Sequence, residues 1–246
     1  MKEARYFYVP NAAKVNELSQ EETQHASKVL RLNAGDEIYC MDGEGTFCRA
    51  QLTLVSSKCC LYNILDVLPQ EKAWHGDITL AIAPTKNIDR IEWLAEKATE
   101  IGFDRLSFLN CKFSERKQIR VDRIEKIVVS AFKQSRKPYL TKVGEMISFK
   151  EYISTPRDGE KFICHCYDEI DKEDMNDVLL SLDKETPVTV LVGPEGDFSI
   201  DEVRTAMEKG YRSVTLGNFR LRTETAGLLA VTMAQLAKRK RNLNKD

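Results

Sequence analysis

The sequence predicts an α/β protein preceded by a small β-barrel, on three observations. Short strand-like segments crowd the first part of the chain, strand and helix patterns alternate from Gly76 onward, and a polar stretch, Pro69–Ala73, separates the two. In the first part, Tyr6–Val9, Glu37–Met41, Thr46–Val55 and Cys60–Val67 are rich in β-branched and aromatic residues. Asp42-Gly43-Glu44-Gly45 is the expected hairpin turn. One helix interrupts them, from about Gln20 to Leu30, with His25, Lys28 and Arg31 near its polar face and Val29, Leu30 and Leu32 turned inward. Short strands with so little helix suit a small barrel, assigned to residues 1–70.

Residues 74–246 read as a mostly parallel sheet with covering helices. Its apolar strands are Ile78–Ala83, Arg105–Leu109, Lys161–Cys166, Val188–Val192 and Ser213–Leu216. Ile88–Ile101 repeats apolar residues at helical spacing and stops at Gly102, and Val121–Lys133 is a second helix. Ser199 and Glu202 have the spacing of a capping box, and Gly210 closes the helix they start. Thr225–Ala237 is apolar nearly all round, which predicts a helix buried on most sides or lying in a subunit interface.

Hydrophobic content of 42% with 30% charged residues is that of a globular chain, and no apolar run approaches the roughly 18 residues that span a bilayer. Met1-Lys2-Glu3-Ala4-Arg5-Tyr6 leads into a strand rather than a secretory signal, so the expected location is the cytoplasm, with no membrane partner. The seven cysteines are then expected to be reduced. Cys164-His165-Cys166 has no second Cys/His pair at zinc-site spacing; the expectation is buried strand cysteines and no metal, and Cys59-Cys60 has the same explanation. The formal net charge of −1 gives no argument for nucleic acid, but from Arg105 to Lys137 ten Lys/Arg face three acids. Such an excess suits either a phosphate-binding face or a solvated helix surface.

No Gly-x-Gly-x-x-Gly follows a strand, and P-loop, zinc-protease and hydrolase motifs are absent. Instead, Val188–Val192 runs into Gly193-Pro194-Glu195-Gly196-Asp197-Phe198-Ser199, where glycines let the backbone approach a ligand closely. A second strand ends in Leu216-Gly217-Asn218-Phe219-Arg220-Leu221-Arg222-Thr223-Glu224-Thr225-Ala226, with polar groups crowding the start of an apolar helix. Ligands of α/β sheets bind at such strand ends, so two successive loops of this kind predict a site without naming its ligand.

The pair Leu191–Gly196 and Leu216-Gly217 with Leu221–Ala226 resembles the signature of the SPOUT methyltransferases, specifically the RsmE family. The resemblance continues through Arg5-Tyr6-Phe7, His25 to Leu32, Glu96–Gly102, Ser114-Glu115-Arg116 and Gln134-Ser135-Arg136, nearly the whole chain. It implies a PUA-like β-barrel followed by a SPOUT-type α/β domain with a deep trefoil knot, a rare exception to ordinary connectivity. It implies S-adenosyl-L-methionine as cofactor, held by Leu191, Val192, Gly193, Glu195, Gly196, Leu216, Gly217, Leu221, Arg222 and Thr223. The implied reaction is methylation of uridine N3 in 16S ribosomal RNA, free or in the small ribosomal subunit, by a homodimer. Two positions depart from the family pattern: Asp197 stands where a second glycine is usual, and Lys133 where glutamate is usual.

Methylation at N3 requires loss of its proton and in-line attack on a sulfonium methyl. Arg222 is the first candidate to stabilise the uracil anion and Arg136 the second; Glu224 is a candidate proton acceptor or simply a favourable partner for a helix dipole. Arg5, His25, Lys28 and Arg31 of the barrel are the candidate RNA contacts, joined by Lys86, Arg116, Lys133 and Arg136. Apart from the resemblance, His25 reads as an ordinary helix-surface histidine. A methyltransferase acting on a ribose 2′-hydroxyl or a transfer RNA, and a non-catalytic RNA-binding assembly factor, are the alternatives.

Overall fold

A computed structural model describes residues 4–240; Met1–Glu3, part of the leader reading, and the last six residues of the second predicted domain lie outside them. The chain divides into two compact units. One comprises the residues up to Lys72 with Val129–Leu140, the other Ala73–Val128 with the chain from Thr141 onward. Among the described residues no helix is long and apolar enough to cross a membrane.

The first unit holds β1 (Tyr6–Tyr8), α1 (Gln20–Gln24), β2 (Glu37–Met41), β3 (Thr46–Val55) and β4 (Cys60–Pro69), with strand order β1-β2-β3-β4. After β1 the chain returns along the far edge of β4, where Leu18 N donates to Cys60 O at 3.0 Å and Tyr62 N to Asn16 O at 2.9 Å. One continuous segment thus lies on both outer strands and rounds the sheet into a barrel. Phe7, Ile38, Cys40, Cys48, Ala50, Leu52 and Tyr62 fill its interior. Asp42 closes the predicted turn, its carboxylate accepting from the N–H groups of Glu44 and Thr46 at 2.7 and 2.9 Å.

The predicted Gln20–Leu30 helix is α-helical only to Gln24, and His25–Val29 forms a π-turn in which Leu30 N donates to His25 O, five residues back. The extra residue per turn rotates the face. Ala26 becomes the buried position, and Val29, expected inward, is 67% exposed.

Val129–Leu140 joins this unit through long-range pairing that no local pattern announces. Gly45 N donates to Pro138 O at 3.0 Å and Leu140 N to Gly43 O at 2.9 Å, while Phe132 meets Tyr8 edge to face.

The second unit is a seven-stranded sheet of order β7-β6-β5-β10-β8-β11-β9, parallel at every pairing. Its strands are β5 (Ile78–Ile82), β6 (Arg105–Asn110), β7 (Lys142–Ser148), β8 (Glu160–Cys164), β9 (Glu173–Asp174), β10 (Val188–Val192) and β11 (Arg212–Thr215). The helices are α2 (Ile88–Ile101), α3 (Val121–Ser135), α4 (Phe149–Ser154), α5 (Met175–Ser181), α6 (Ile200–Glu208) and α7 (Thr223–Lys238). β10, formed late in the chain, inserts between β5 and β8 and is buried along its whole length, which is why it reads as an apolar run interrupted by Thr189 alone.

Side chains alternate across this sheet. Ala81, Ile163 and Leu191 point into a core with Phe149, Tyr152, Phe198 and Val203. On the other face, a Cβ at Gly227 of α7 would lie 3.0 to 3.4 Å from Ile82, Leu94 and Leu80, so the missing side chain lets α7 lie close to β5 and α2. The capping box at Ser199 forms as expected.

The register is level at one edge. Val192 pairs with both Ile82 and Cys164, and Val214 with Cys164. The loops that leave β5, β8, β10 and β11 therefore emerge side by side.

Candidate active site

Those loops enclose a cleft of about 930 Å³, lined entirely by the second unit. Its floor comes from β10. Gly193 turns the chain back on itself so closely that a Cβ there would sit 2.9 Å from the Phe198 backbone nitrogen. The next tight point is Asp197, whose φ of 66° lies in the left-handed region. A glycine would adopt this freely; aspartate adopts it with its carboxylate engaged, accepting from its neighbour Phe198 N at 2.7 Å and from Cys166 N at 2.8 Å. The departure from the glycine pattern thus keeps the glycine's backbone and adds a tie from the β10 loop to the β8 loop. Glu195 adds another, accepting from Lys86 N at 2.9 Å.

The second wall follows β11. Gly217 has a φ of 121°, and a Cβ there would meet nothing within 4 Å. Thr215 Oγ1 closes the turn with Gly217 O and N at 2.8 and 3.2 Å. Phe219 is 87% exposed, and Arg222, also exposed, caps α7 with no side-chain hydrogen bond to the helix. Its guanidinium is available to the cleft it lines.

Of the cofactor residues expected from the sequence, Val192, Gly193, Glu195, Leu216, Gly217, Leu221, Arg222 and Thr223 line this one cleft. Leu191 is fully buried beneath it in the core, and Gly196 packs against Phe113. Glu224 is buried behind the cleft wall, 3.6 Å from Arg90 Nε through Oε1, while its Oε2 has no hydrogen-bond partner among the described residues.

The third wall was missed from the sequence. Cys164, His165 and Cys166, expected to be strand core, border the cleft with Asp168, Ile170 and Lys172. β8 ends at Cys164, so the strand alternation assumed for the triplet stops short; His165 is buried, whereas Cys166 is exposed. Cys59 is likewise only half-buried. The level strand ends would have pointed to this loop, but they depend on β8 lying beside β10, which spacing along the chain does not reveal.

His165 Nδ1 accepts from Tyr167 N at 3.2 Å, so its Nε2 carries the proton and donates to Ser213 Oγ at 2.8 Å; that hydroxyl donates onward to Asp171 O at 2.8 Å. Burial first, and then the Lys172 ammonium, lower the His165 pKa and favour this neutral form. Burial and the Asp197 carboxylate raise Cys164 to about 12 and also push Cys166 up, so neither thiol is a ready thiolate. Among the described residues no group of three or more His, Cys, Asp or Glu is placed to hold a metal.

The expected RNA residues fall in both units. Arg5, His25, Lys28, Arg31, Lys133 and Arg136 belong to the first, Lys86 and Arg116 to the second. Lys28 and Arg31 are exposed, and His25 meets Phe7 edge to face. Arg136 stacks its guanidinium 4.8 Å over the Tyr6 ring. Two others have structural partners. Lys133 Nζ lies 2.6 Å from the buried Glu22, and Arg116 donates to the carbonyls of Thr85 and Lys86 at 3.0 and 2.6 Å. Lys86 is exposed and paired with Glu115 at 2.8 Å.

A parallel sheet opening at its strand ends onto a glycine-walled cleft, in a chain that also folds a small barrel, defines an α/β enzyme with an accessory β module. Residues 72–235 match the model of the RNA methyltransferase domain and residues 18–60 that of the RNA methyltransferase PUA domain. The chain belongs to this RNA methyltransferase family. A crystal structure of a probable rRNA-methyltransferase from Porphyromonas gingivalis is 36% identical, with a TM-score of 0.87 over 95% of this chain and 98% of that one. The ribosomal RNA small subunit methyltransferase E from Neisseria gonorrhoeae, bound to S-adenosyl methionine, is 27% identical with a TM-score of 0.83, again over 95% and 98%. The Bacillus subtilis protein of the same name is 26% identical over 93% of this chain and 94% of its own length.

Proposed function

We propose that the chain transfers a methyl group from S-adenosylmethionine to N3 of one uridine of 16S ribosomal RNA, free or within the small subunit, and that it does so in the cytoplasm as a homodimer. The observation that supports this best is the cleft over the ends of β8, β10 and β11 in a chain whose relatives are named for methylating small-subunit ribosomal RNA. On this reading the barrel, residues 1–70, grips RNA and the loops after β10 and β11 belong to a deep trefoil knot.

The residues present suit the cofactor. Val192, Leu216 and Leu221 offer apolar surface for a purine and a sulfur, while Gly193 and Gly217 keep side chains out of the way. Acidic and basic groups share the rim, as a zwitterionic amino-acid tail requires. Bound adenosylmethionine supplies an electrophilic methyl whose C–S bond breaks as the N3 electron pair forms the new C–N bond, leaving a neutral thioether.

The chain's own contribution is to orient and to stabilise charge. Arg222 donates to the uracil oxygens as N3 loses its proton, and Arg136 is the second candidate for that role. The burial of Glu224 favours a structural partner role over that of proton acceptor. The exposed Lys28 and Arg31, with Arg5 and His25, meet the RNA backbone.

Mass spectrometry of ribosomal RNA from cells with and without the gene tests reaction and substrate together. One N3-methyluridine lost on deletion and regained on complementation is the expected result. A lost ribose methyl or a change in transfer RNA would redirect the substrate. No calorimetric binding of adenosylmethionine, together with unchanged RNA affinity in Arg222→Ala, would make the protein an assembly factor instead.

A further inference from the structure

We propose that Arg90 is a catalytic residue that contacts the methyl acceptor, and that the buried carboxylate of Glu224 is its positioning residue. The inference rests on the methyltransferase reading above and adds to it a group that the sequence did not single out. Arg90 stands in the first turn of α2 and lines the cleft with Arg222 and Thr223. Its Nε lies 3.6 Å from Glu224 Oε1; the arginine side chain is 36% exposed and the glutamate 10%.

Glu224 is an unusual group to bury. Its Oε2 is shielded from solvent and has no hydrogen-bond partner among the described residues. Withdrawing a carboxylate from water is costly unless a charge answers it, and the start of α7 and the Arg90 guanidinium are what answer it here. Glu224 approaches Arg90 at Nε and at a distance too long for a tight fork. Glu224 is the one ion-pair partner of Arg90 among the described residues, so the two Nη groups remain as donors for a molecule in the cleft. An arginine in this position cannot act as a base, because it does not give up its proton. It can stabilise an anion.

The chemistry selects which anion. The adenosylmethionine sulfonium is positive, and a guanidinium gains nothing beside it. When N3 of the acceptor releases its proton to water, negative charge spreads onto O2 and O4, and fixed N–H donors at those oxygens favour the form that attacks the methyl. Arg90 on one wall and Arg222 on another can supply such donors to two oxygens of one ring. Glu224 holds Arg90 in place from behind the wall.

The test uses the full chain as wild type, Arg90→Ala, Arg90→Lys, Glu224→Gln and the double variant R90A/E224Q. Adenosylhomocysteine binding is measured by calorimetry, and single-turnover methylation of small subunits from neutral to alkaline pH. Arg90→Ala should bind adenosylhomocysteine as the wild type does but lose roughly a hundredfold in rate at neutral pH, the size expected for one anion-stabilising donor. The deficit should narrow as pH rises, because hydroxide then forms the acceptor anion unaided. Glu224→Gln should show a smaller loss with the same narrowing, Arg90→Lys should recover part of the rate, and the double variant should be no slower than Arg90→Ala.

An Arg90→Ala enzyme of unchanged rate, or a deficit constant across pH, overturns the proposal. So does weakening of adenosylhomocysteine by tenfold or more, which would place Arg90 on the cofactor's carboxylate. Should Glu224→Gln fail to fold, Glu224→Asp takes its place, since a shortened carboxylate still tests whether Arg90 is held. These outcomes leave the methyltransferase reading standing; a wild-type protein with no methyl transfer overturns both.

Discussion

Replacing Asp197 separates backbone strain from hydrogen bonding in the cleft. The residue sits at a φ of 66°, and its carboxylate binds the N–H groups of Phe198 and Cys166. Each bond contributes about 1 kcal/mol net, and a left-handed conformation costs an ordinary L-residue about 1–2 kcal/mol that glycine does not incur. Asp197→Ala loses both bonds and retains the strain, for a destabilisation of about 2 kcal/mol. Asp197→Gly loses the bonds but relaxes the backbone, and should be the more stable of the two by about 1 kcal/mol, or roughly 2–4 °C in melting temperature for a chain of this size. Asp197→Asn keeps one acceptor and tolerates the backbone, so the Asn and Gly variants both fall between Asp and Ala in the order of stability. Differential scanning calorimetry reads the order, and titration with adenosylhomocysteine should follow it, because the same residue ties two cleft walls together. Equal melting temperatures for the Gly and Ala variants would refute the strain argument; an Asn variant as weak as Ala would refute the hydrogen-bond argument.

Three further outcomes follow from named contacts. The folded pKa of His165 lies below its unfolded value, so the unfolded chain binds the extra proton first; the stability held by the neutral ring is complete above about pH 6.5 and is lost as pH falls from there toward the lowered value. Urea midpoints of the wild type should therefore fall faster between neutral and mildly acidic pH than those of His165→Gln. Lys133→Met strands the buried Glu22 and should lower stability by about 1–3 kcal/mol, discounted for the lysine's partial exposure, with no change in the salt dependence of RNA binding. Lys28→Ala and Arg31→Ala should do the reverse, leaving the melting temperature alone and reducing the slope of log affinity against log salt by about one each, as fluorescence anisotropy at several salt concentrations would show.

The parts of this fold legible in the sequence are those whose physics is local. β10 reads as a mostly apolar run because both its faces are buried, and α2 reads from its spacing and its Gly102 stop. β7 was missed because it lies at the sheet's edge with no fully buried residue, and α4 and α5, of six and seven residues, are too short to display a period. The two glycine loops of the cleft were legible for the same local reason. The Cys164–Lys172 wall, Arg90 beside Glu224 and the position of Val129–Leu140 all arise from segments that meet only through the order of the sheets, which no window of neighbouring residues contains. Lys133 looked like free charge for RNA because its partner, Glu22, lies 111 positions away.

Helix α3 has a consequence for how this protein can be taken apart. Its last turns, from Val129, belong to the unit that begins the chain, where Phe132 is covered by Tyr8 and Lys133 answers Glu22. A fragment beginning at Ala73 would look complete by its family boundary, yet would carry a bare aromatic and an unanswered cation; the matching barrel fragment would keep a buried carboxylate with no cation. Gene fusion or truncation at the apparent linker therefore yields two damaged halves. The two modules thus share no single boundary in the sequence, because one helix supplies both.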